Sequence, residues 1–326
     1  MKTLVISGLC SLVLSAGLGR IALPILRRVK AGQPVLGYVK EHESKNGTPT
    51  MGGLFFIPAA AIAFFAFGGA GSRTATVSLA IGLAFLAVGF LDDFLKIKFR
   101  KNEGLKAYQK IIFQTGIALV AGLFVYKNGL TSAYIPFYKG TVRLGVFSVP
   151  LAAFIFVAIT NSVNLTDGLD SLAGGTSSAY LIFIAALIGI ESGFGDIFAG
   201  QTEGRGLQLL SVSLVGAIAG FLIFNVPPAK VFMGDSGSLS LGGFIGAISV
   251  FSGNSLFVPI IGAAFVASSV SVIIQVLHFK RTRRRVFLMA PLHHHFQEKG
   301  YSESRISYCY FLITCITGAL SVIFYL

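Results

Sequence analysis

Stretches of apolar residues long enough to cross a lipid bilayer recur along this 326-residue chain. A membrane-spanning helix needs roughly 20 consecutive, mostly apolar residues. Hydrophobic residues make up 54% of the sequence and charged residues only 12%, whereas a typical soluble domain has about 25% charged residues. The sequence therefore predicts an all-α, polytopic integral membrane protein, folded as a single domain over residues 1–326.

We expect about ten transmembrane helices. They are predicted at residues 3–26, 51–69, 75–95, 111–126, 148–163, 171–190, 207–224, 236–251, 255–277 and 306–326. The first stretch is also compatible with a signal peptide, but the many later spans favour an uncleaved first helix. Pro259 predicts a kink or tilt in the ninth span. The glycine pairs Gly216/Gly220 and Gly242/Gly246 predict close helix packing.

The net charge of +13 fits either a nucleic-acid-binding surface or basic loops on the cytoplasmic side of a membrane. If the loop after the first span faces the cytoplasm, the inner loops contain 19 Lys and Arg residues and the outer segments contain six. Basic residues concentrate in cytoplasmic loops. The distribution thus places both termini outside, explains the charge by topology, and requires no nucleic acid.

The other polar residues concentrate on the same predicted inner side. All five histidines and five of the six aspartates lie there. These aspartates, at the junctions between spans and loops, are Asp92, Asp93, Asp167, Asp170 and Asp235. Because a carboxylate at membrane depth is costly, such residues usually face a cavity or a partner. We therefore expect one shared cleft that opens inward.

Two acidic segments each allow a structural and a functional interpretation. In residues 91–96 (LDDFLK), Lys96 is spaced to form surface ion pairs with Asp92 and Asp93. The end of an inward-running helix nevertheless disfavours carboxylates, which favours a functional role. In residues 161–170 (NSVNLTDGLD), Asp170 or the following serine could cap a helix. That leaves Asn161, Asn164 and Asp167 unexplained, a mixture suited to a nucleotide or Mg²⁺.

Three further segments complete the predicted inner face. In residues 225–238, Asp235 or Ser236 is either an ordinary helix N-cap or part of a diphosphate site that holds a cation. The segment 45–53 (KNGTPTMGG) allows close backbone approach to a ligand but lacks a Walker ending. Three consecutive histidines at 293–295 cannot all converge on one metal. Contacts with phosphate or sugar are the better hypothesis for them.

Five motifs together resemble the polyprenyl-phosphate N-acetylhexosamine-1-phosphate transferase superfamily, and within it most closely the bacterial phospho-N-acetylmuramoyl-pentapeptide transferase family. The motifs are GTPTMGG at 47–53, LDD at 91–93, NLTDGLD at 164–170, VFMGDSGS at 231–238 and PLHHHF at 291–296. They occur in order across essentially the whole chain. The resemblance implies ten spans with periplasmic termini, in a bacterial inner membrane, with the active site on the cytoplasmic side.

The resemblance also implies an activity and a set of site residues. The reaction joins UDP-N-acetylmuramoyl-pentapeptide to undecaprenyl phosphate and releases UMP with Mg²⁺. Asp235 would bind Mg²⁺, with Asp92, Asp93 and Asp167 around it, and Lys96 and Lys110 would meet phosphate. His293, His294 and His295 would line the part of the site that holds the sugar. The residues that would bind substrate are Lys45, Thr50, Asn161, Asn164, Gly168, Asp170, Asn225 and Phe232.

Two other functions fit parts of the same pattern. A relative that uses UDP-N-acetylglucosamine would share the reaction but would carry a shorter, altered histidine motif. A lipid transporter or flippase would be expected to show paired repeats and polar groups at mid-membrane, and this chain shows neither. Membrane lipids are expected partners, and a homodimer is plausible from the resemblance.

Overall fold

The computed structural model describes residues 1–29, 47–99, 104–138, 140–193 and 200–326. Its helices are α1 (Lys2–Arg28), α2 (Gly53–Ala66), α3 (Arg73–Phe99), α4 (Ala107–Lys127), α5 (Ser148–Thr166), α6 (Leu172–Gly193), α7 (Gly200–Asn225), α8 (Gly234–Phe251), α9 (Val258–Ile261), α10 (Ala263–Thr282), α11 (Leu292–Glu298) and α12 (Glu303–Tyr325). Each of the ten predicted spans overlaps at least one of these helices. The prediction of an all-α polytopic membrane protein is confirmed.

Eight helices in the described part of the chain are long and apolar enough to cross a membrane. Helix α2 has only 14 residues, and α8 has 18. Every residue of α8 from Ser236 to Phe251 is buried, because α8 packs between α3 and α5 at the centre of the bundle. The count of ten spans and the outward placement of both termini remain predictions.

The predicted kink in the ninth span is present as a break between two helices. Pro259 lies in the first turn of the four-residue helix α9, where the missing N–H of proline costs no hydrogen bond. This helix ends at Ile261, and α10 begins after Gly262. The predicted ninth span, 255–277, is therefore interrupted at Gly262 and is not one continuous helix.

A short β-hairpin follows α4 and was not predicted. Strands β1 (Ser132–Ile135) and β2 (Gly140–Arg143) pair antiparallel, and the N–H of Tyr134 donates to the carbonyl of Gly253 at 2.9 Å. The Tyr134 ring stacks on Tyr325 at the end of α12, with centroids 4.4 Å apart. The hairpin thus lies at the end of the bundle where α12 finishes.

Close backbone contacts confirm the predicted packing at both glycine pairs. A Cβ added at Gly216 would collide with the carbonyl of Gly8, which places α7 directly against α1. A Cβ added at Gly242 would lie 2.5 Å from the Cα of Thr160, which does the same for α8 and α5. Small residues allow such close approach between helices in lipid.

One end of the bundle, which we call the acidic end, collects the polar helix termini. Helices α3, α5 and α7 end there, and α4, α6, α8 and α12 begin there. Two hydrogen bonds between helix ends illustrate this: the N–H of Ser236 donates to Asp93, and the N–H of Ser171 donates to Asn225. The opposite end contains the start of α3, where Glu203 of α7 accepts a hydrogen bond from Ser72 at 2.7 Å. Alternation of helix direction therefore brings distant motifs to one face.

Candidate active site

Three carboxylates meet at the centre of the acidic end. Asp92 and Asp93 lie near the end of α3, and Asp235 is the second residue of α8. One oxygen from each lies within 4.8 Å of the others, the one grouping of this kind among the residues that the structure describes. The side chains of Asp92 and Asp93 are fully buried, whereas that of Asp235 is 15% exposed. Asp235 is therefore the carboxylate most open to a ligand.

Two lysines neutralise part of this negative charge. The Lys96 ammonium lies 2.6 Å from an oxygen of Asp92 and 3.1 Å from one of Asp235. The Lys110 ammonium lies 3.1 Å from the other Asp92 oxygen and 2.6 Å from the same Asp235 oxygen. Both lysines thus bridge α3 and α8. The ion pairs predicted for Lys96 with Asp92 and Asp93 are present, but they belong to a largely buried network and not to an exposed surface.

Asp93 caps the start of α8 from a neighbouring helix. Its two oxygens accept hydrogen bonds from the backbone N–H groups of Asp235, at 3.1 Å, and of Ser236, at 2.9 Å. The first N–H groups of a helix have no partner within the helix and favour negative charge. The alternative in which Asp235 or Ser236 is the N-cap is wrong, because the N-cap is Met233 and both residues lie in the first turn.

The polar last turns of α5 contribute a direct contact to Asp235. The Asn164 amide donates to an oxygen of Asp235 at 2.8 Å and to the Ser238 hydroxyl at 2.9 Å. Asn161, one turn earlier, instead exchanges hydrogen bonds with the buried amide of Gln114 on α4, the shorter of them 2.6 Å. Gln114 was not identified from the sequence, although an amide within an apolar span was a usable signal.

Asp167 lies just after α5, beside the carboxylate group. Burial raises the pKa of Asp167 well above its usual value, and the negative charges of Asp235 and Asp93 raise it further. Without a bound cation, Asp167 therefore holds a proton more readily than an exposed aspartate does. A bound cation would reverse this preference by offsetting the charge of its neighbours.

Asp170 and Asn225 hold the loop that leads into α8. An Asp170 oxygen accepts from the N–H of Ala229 at 2.9 Å. The Asn225 amide accepts from the N–H of Ser171 at 2.9 Å and donates to the carbonyl of Val231 at 2.8 Å. Both side chains are buried. The structure thus shows both side chains holding backbone groups of this loop, and the contact with substrate that the resemblance implies for them remains a prediction.

The glycine-rich segment before α2 pairs with the loop that contains Phe232. The N–H of Phe232 donates to the carbonyl of Pro49 at 2.8 Å, and the N–H of Gly52 donates back to the carbonyl of Phe232 at 2.9 Å. Thr50 is buried beside Gly234, whose positive φ of 74° and tight surroundings require glycine. Lys45 lies outside the described residues.

The three consecutive histidines have three different surroundings. His293 is buried, its ring centroid lies 6.3 Å from that of Tyr310, and a Cβ added at Gly168 would collide with its Nε2. The Nδ1 of His294 lies 3.0 Å from the Oε1 of Gln297. The Nδ1 of His295 accepts from the N–H of Leu288 at 3.1 Å, and burial, with the charge of Lys299, lowers its pKa.

The ring centroids of His293 and His294 lie 4.3 Å apart, whereas the ring of His295 packs against Phe287. The ring of His293 also occupies the space that a side chain at position 168 would need, so only glycine fits there. His293 thereby connects the helix α11 with the turn that contains Asp167. Whether any of the three touches substrate remains a prediction.

The carboxylate group has the chemistry and spacing of a magnesium site. Mg²⁺ binds oxygen ligands at roughly 2.0–2.1 Å, so two of its ligands are at most about 4.2 Å apart. Adjacent ligands of the octahedral ion are only about 3 Å apart. The three carboxylate oxygens lie within 4.8 Å of one another, so the side chains would move closer together around the ion. Asp235, the most exposed of the three, is the residue best placed to be a ligand.

Comparison with known proteins assigns the chain to a family. A model described as "Glycosyl transferase family 4" matches residues 75–253, and "Phospho-N-acetylmuramoyl-pentapeptide-transferase signature 1" matches residues 45–57. The phospho-N-acetylmuramoyl-pentapeptide-transferase of Clostridioides difficile (strain 630) is 42% identical over 315 residues, which cover 94% of this chain and 92% of the relative. The chain belongs to the phospho-N-acetylmuramoyl-pentapeptide-transferase family.

Other members of this family match the chain over nearly its whole length. The transferase of Caldanaerobacter subterraneus subsp. tengcongensis is 39% identical over 326 residues, covering 100% of this chain and 99% of the relative. That of Thermoanaerobacter sp. (strain X514) is 39% identical and covers 98% of each chain. The family-4 match includes all three carboxylates, whereas the histidines at 293–295 lie beyond it.

Proposed function

We propose that this protein transfers phospho-N-acetylmuramoyl-pentapeptide from its UDP derivative to undecaprenyl phosphate and releases UMP. The reaction would require Mg²⁺ and take place at the acidic end, on the cytoplasmic side of a bacterial inner membrane. The supporting observation is the group formed by Asp92, Asp93, Asp235, Lys96 and Lys110 in a chain of this transferase family. Such a group suits chemistry between two phosphate-bearing reactants.

The electrostatic problem of this reaction is the repulsion between two anionic phosphates. With the three carboxylates ionised and both lysines protonated, the group has a formal charge of −1, which favours a divalent cation. When bound, Mg²⁺ would screen the diphosphate and stabilise the departing UMP. Lys96 and Lys110 are 14% and 21% exposed, so each can exchange a carboxylate contact for a phosphate contact.

Asp92 is better suited to positioning than to proton transfer. One of its oxygens accepts the N–H of Leu105 at 2.7 Å and lies 3.1 Å from Lys110. The other lies 2.6 Å from Lys96. A phosphate with a second pKa near 6 is already largely dianionic at pH 7 and gains little from a base. The contacts of Asp92 therefore support a role in fixing both lysines.

The segments around the carboxylates can divide the substrate between them. Phe232 is partly exposed beside the segment 47–53, which supports stacking on the uracil ring. On the other side of Asp167, Gly168 contacts His293, which supports placing the sugar near α11. Asp235 follows Phe232 by three residues and Asp167 directly precedes Gly168, which supports a site for the intervening diphosphate between these two regions.

Release of UMP from purified full-length protein tests the proposal. We expect Mg²⁺-dependent release with UDP-N-acetylmuramoyl-pentapeptide and undecaprenyl phosphate, and far less with UDP-N-acetylglucosamine. Asp235→Asn should reduce release by roughly a hundredfold or more, because the most accessible carboxylate is lost. Glu298→Gln changes an exposed carboxylate on α11 and serves as the control, with activity near that of the parent protein.

Each alternative result has a defined meaning. Equal release with the N-acetylglucosamine donor would contradict the muramoyl assignment. No release from a folded preparation would favour a transporter. Near-normal turnover of Asp235→Asn would contradict the role of Asp235 as the metal ligand.

A further inference from the structure

A groove on the lipid-facing side of the bundle lies between α10, α11 and α12. It has a volume of about 520 Å³, and its walls include Ala263, Ala264 and Ala267 of α10, Cys309 and Ile313 of α12, and Phe296 of α11. None of these residues contacts the carboxylate group. The groove is therefore distinct from the carboxylate group itself.

The shape of the groove follows from residue spacing on two helices. Ala267 lies beside both Ala263 and Ala264 on α10, because residues three and four positions apart are neighbours on a helix. Opposite them, α12 presents residues 306, 309, 310 and 313. Cys309 and Ile313 are exposed although α12 is long and apolar enough to span the membrane. In a bilayer the groove would therefore be open to alkyl chains, whose close contact with its walls would gain dispersion energy.

A cationic side chain lies where the groove reaches the acidic end. Arg305, in the first turn of α12, borders the groove, and its guanidinium lies 4.9 Å from the centre of the Tyr301 ring. Within the described part of the chain, Arg305 forms no salt bridge with a carboxylate. Arginine binds phosphate oxygens through its planar fork. The groove thus combines an apolar channel with an available phosphate-binding group.

We propose that this groove binds one acyl chain of an anionic phospholipid, whose phosphate pairs with Arg305. A volume of about 520 Å³ is within the range of specific small-ligand sites, roughly 300–1,000 Å³. It suits a single chain rather than the whole of a long polyprenyl substrate. Basic residues at the membrane surface attract anionic headgroups, which favours an anionic lipid over a zwitterionic one.

The bound lipid would contact a helix that also supports the site. On another face of the same turns of α12, the Ser307 hydroxyl donates to the carbonyl of Asp170 at 2.9 Å, and Glu303 accepts from the Asp170 N–H at 3.3 Å. Tyr310, a groove residue, packs beside His293. Lipid in the groove therefore holds α12 in the arrangement that positions Asp170 and His293.

Native mass spectrometry of the purified full-length protein can measure the lipid directly. Phosphatidylglycerol and phosphatidylcholine with identical chains are the two probes. Arg305→Gln should weaken retention of phosphatidylglycerol about fivefold, the effect of one basic residue near an anionic surface, and should leave phosphatidylcholine unchanged. Ala267→Phe places a ring in the groove and should remove the site for both lipids.

Two matched variants control for general effects. Arg284→Gln removes an exposed cationic side chain outside the groove, and Leu320→Phe enlarges an exposed residue of α12 away from it. Both should retain lipid like the parent protein. Because bound mass is measured without turnover, the result does not depend on the proposed transferase activity.

Three outcomes would overturn the inference. Unchanged lipid retention by Ala267→Phe would show that the groove is not the site. An equal loss of both lipids in Arg305→Gln, or no loss, would contradict pairing with an anionic phosphate. Displacement of phosphatidylglycerol by an equimolar amount of polyprenyl phosphate would assign the groove to the lipid substrate instead.

Discussion

At the scale of single residues, the polar motifs contain side chains with different tasks. Asn164 bonds directly to Asp235, whereas Asn225 uses both ends of its amide to hold backbone groups of other segments. The sequence predicted that these residues lie close together, because the predicted topology places them on the same side of the membrane. It did not predict which of them support the site, because that depends on partners from distant parts of the chain.

The pair formed by Asn161 and Gln114 allows a test of this distinction. Asn161→Ala leaves the fully buried Gln114 amide without its partner, so the free energy of unfolding should fall by about 1–3 kcal/mol. Replacing both residues with leucine should recover part of the loss. The free energy of unfolding in detergent reports a structural role of Asn161, and KM reports a role in substrate binding. Unchanged stability with a raised KM would show that Asn161 instead contacts substrate.

Asp167 should make stability depend on pH when no divalent cation is present. Its pKa in the folded protein is raised by burial and by Asp235 and Asp93, so the folded state binds more protons than the unfolded state above about pH 4. The contribution of Asp167 to the free energy of unfolding therefore falls as pH rises. In EDTA, the Tm of Asp167→Asn should fall less between pH 5 and pH 8 than the Tm of the parent protein. Parallel Tm curves would contradict the raised pKa.

At the scale of elements, the site depends on how closely α3 approaches α8. Hydrophobic patterning predicted both helices, and Gly242 and Gly246 predicted close packing of α8, which the structure shows against α5. The glycines of α3 were not singled out. The pattern did not predict the β-hairpin, because strands of four residues give too little periodicity beside long apolar spans. Nor did it predict that Asp93 would cap α8, since capping from another helix leaves no local signal.

Gly89 tests the contact between these helices. A Cβ at Gly89 would collide with the carbonyl of Asp235 and crowd the N–H of Ser236, so Gly89→Ala should destabilise the protein by about 1–3 kcal/mol. It should also lower UMP release, because Asp235 moves. Gly116→Ala on α4 meets no atom within 4 Å and should be neutral or stabilising by up to about 1 kcal/mol. Equal behaviour of both variants would contradict the close contact.

At the scale of the whole molecule, alternating helix direction brings five distant motifs to the acidic end. Apolar length, charge distribution and the positions of the aspartates were sufficient to predict that they share one face. The sequence could not give the spacing of the carboxylates, because this follows from Gly89 and from the cap that Asp93 provides. Nor could it show the groove beside α12, which results from the packing of three separate helices.

Binding of Mn²⁺ to the purified protein, followed by electron paramagnetic resonance, tests most directly whether the three carboxylates form a metal site. Mn²⁺ shares the oxygen-ligand preference of Mg²⁺. We predict a saturable site that Mg²⁺ displaces and that Asp235→Asn weakens at least about tenfold. Mn²⁺ binding by Asp235→Asn with the affinity of the parent protein would contradict the account.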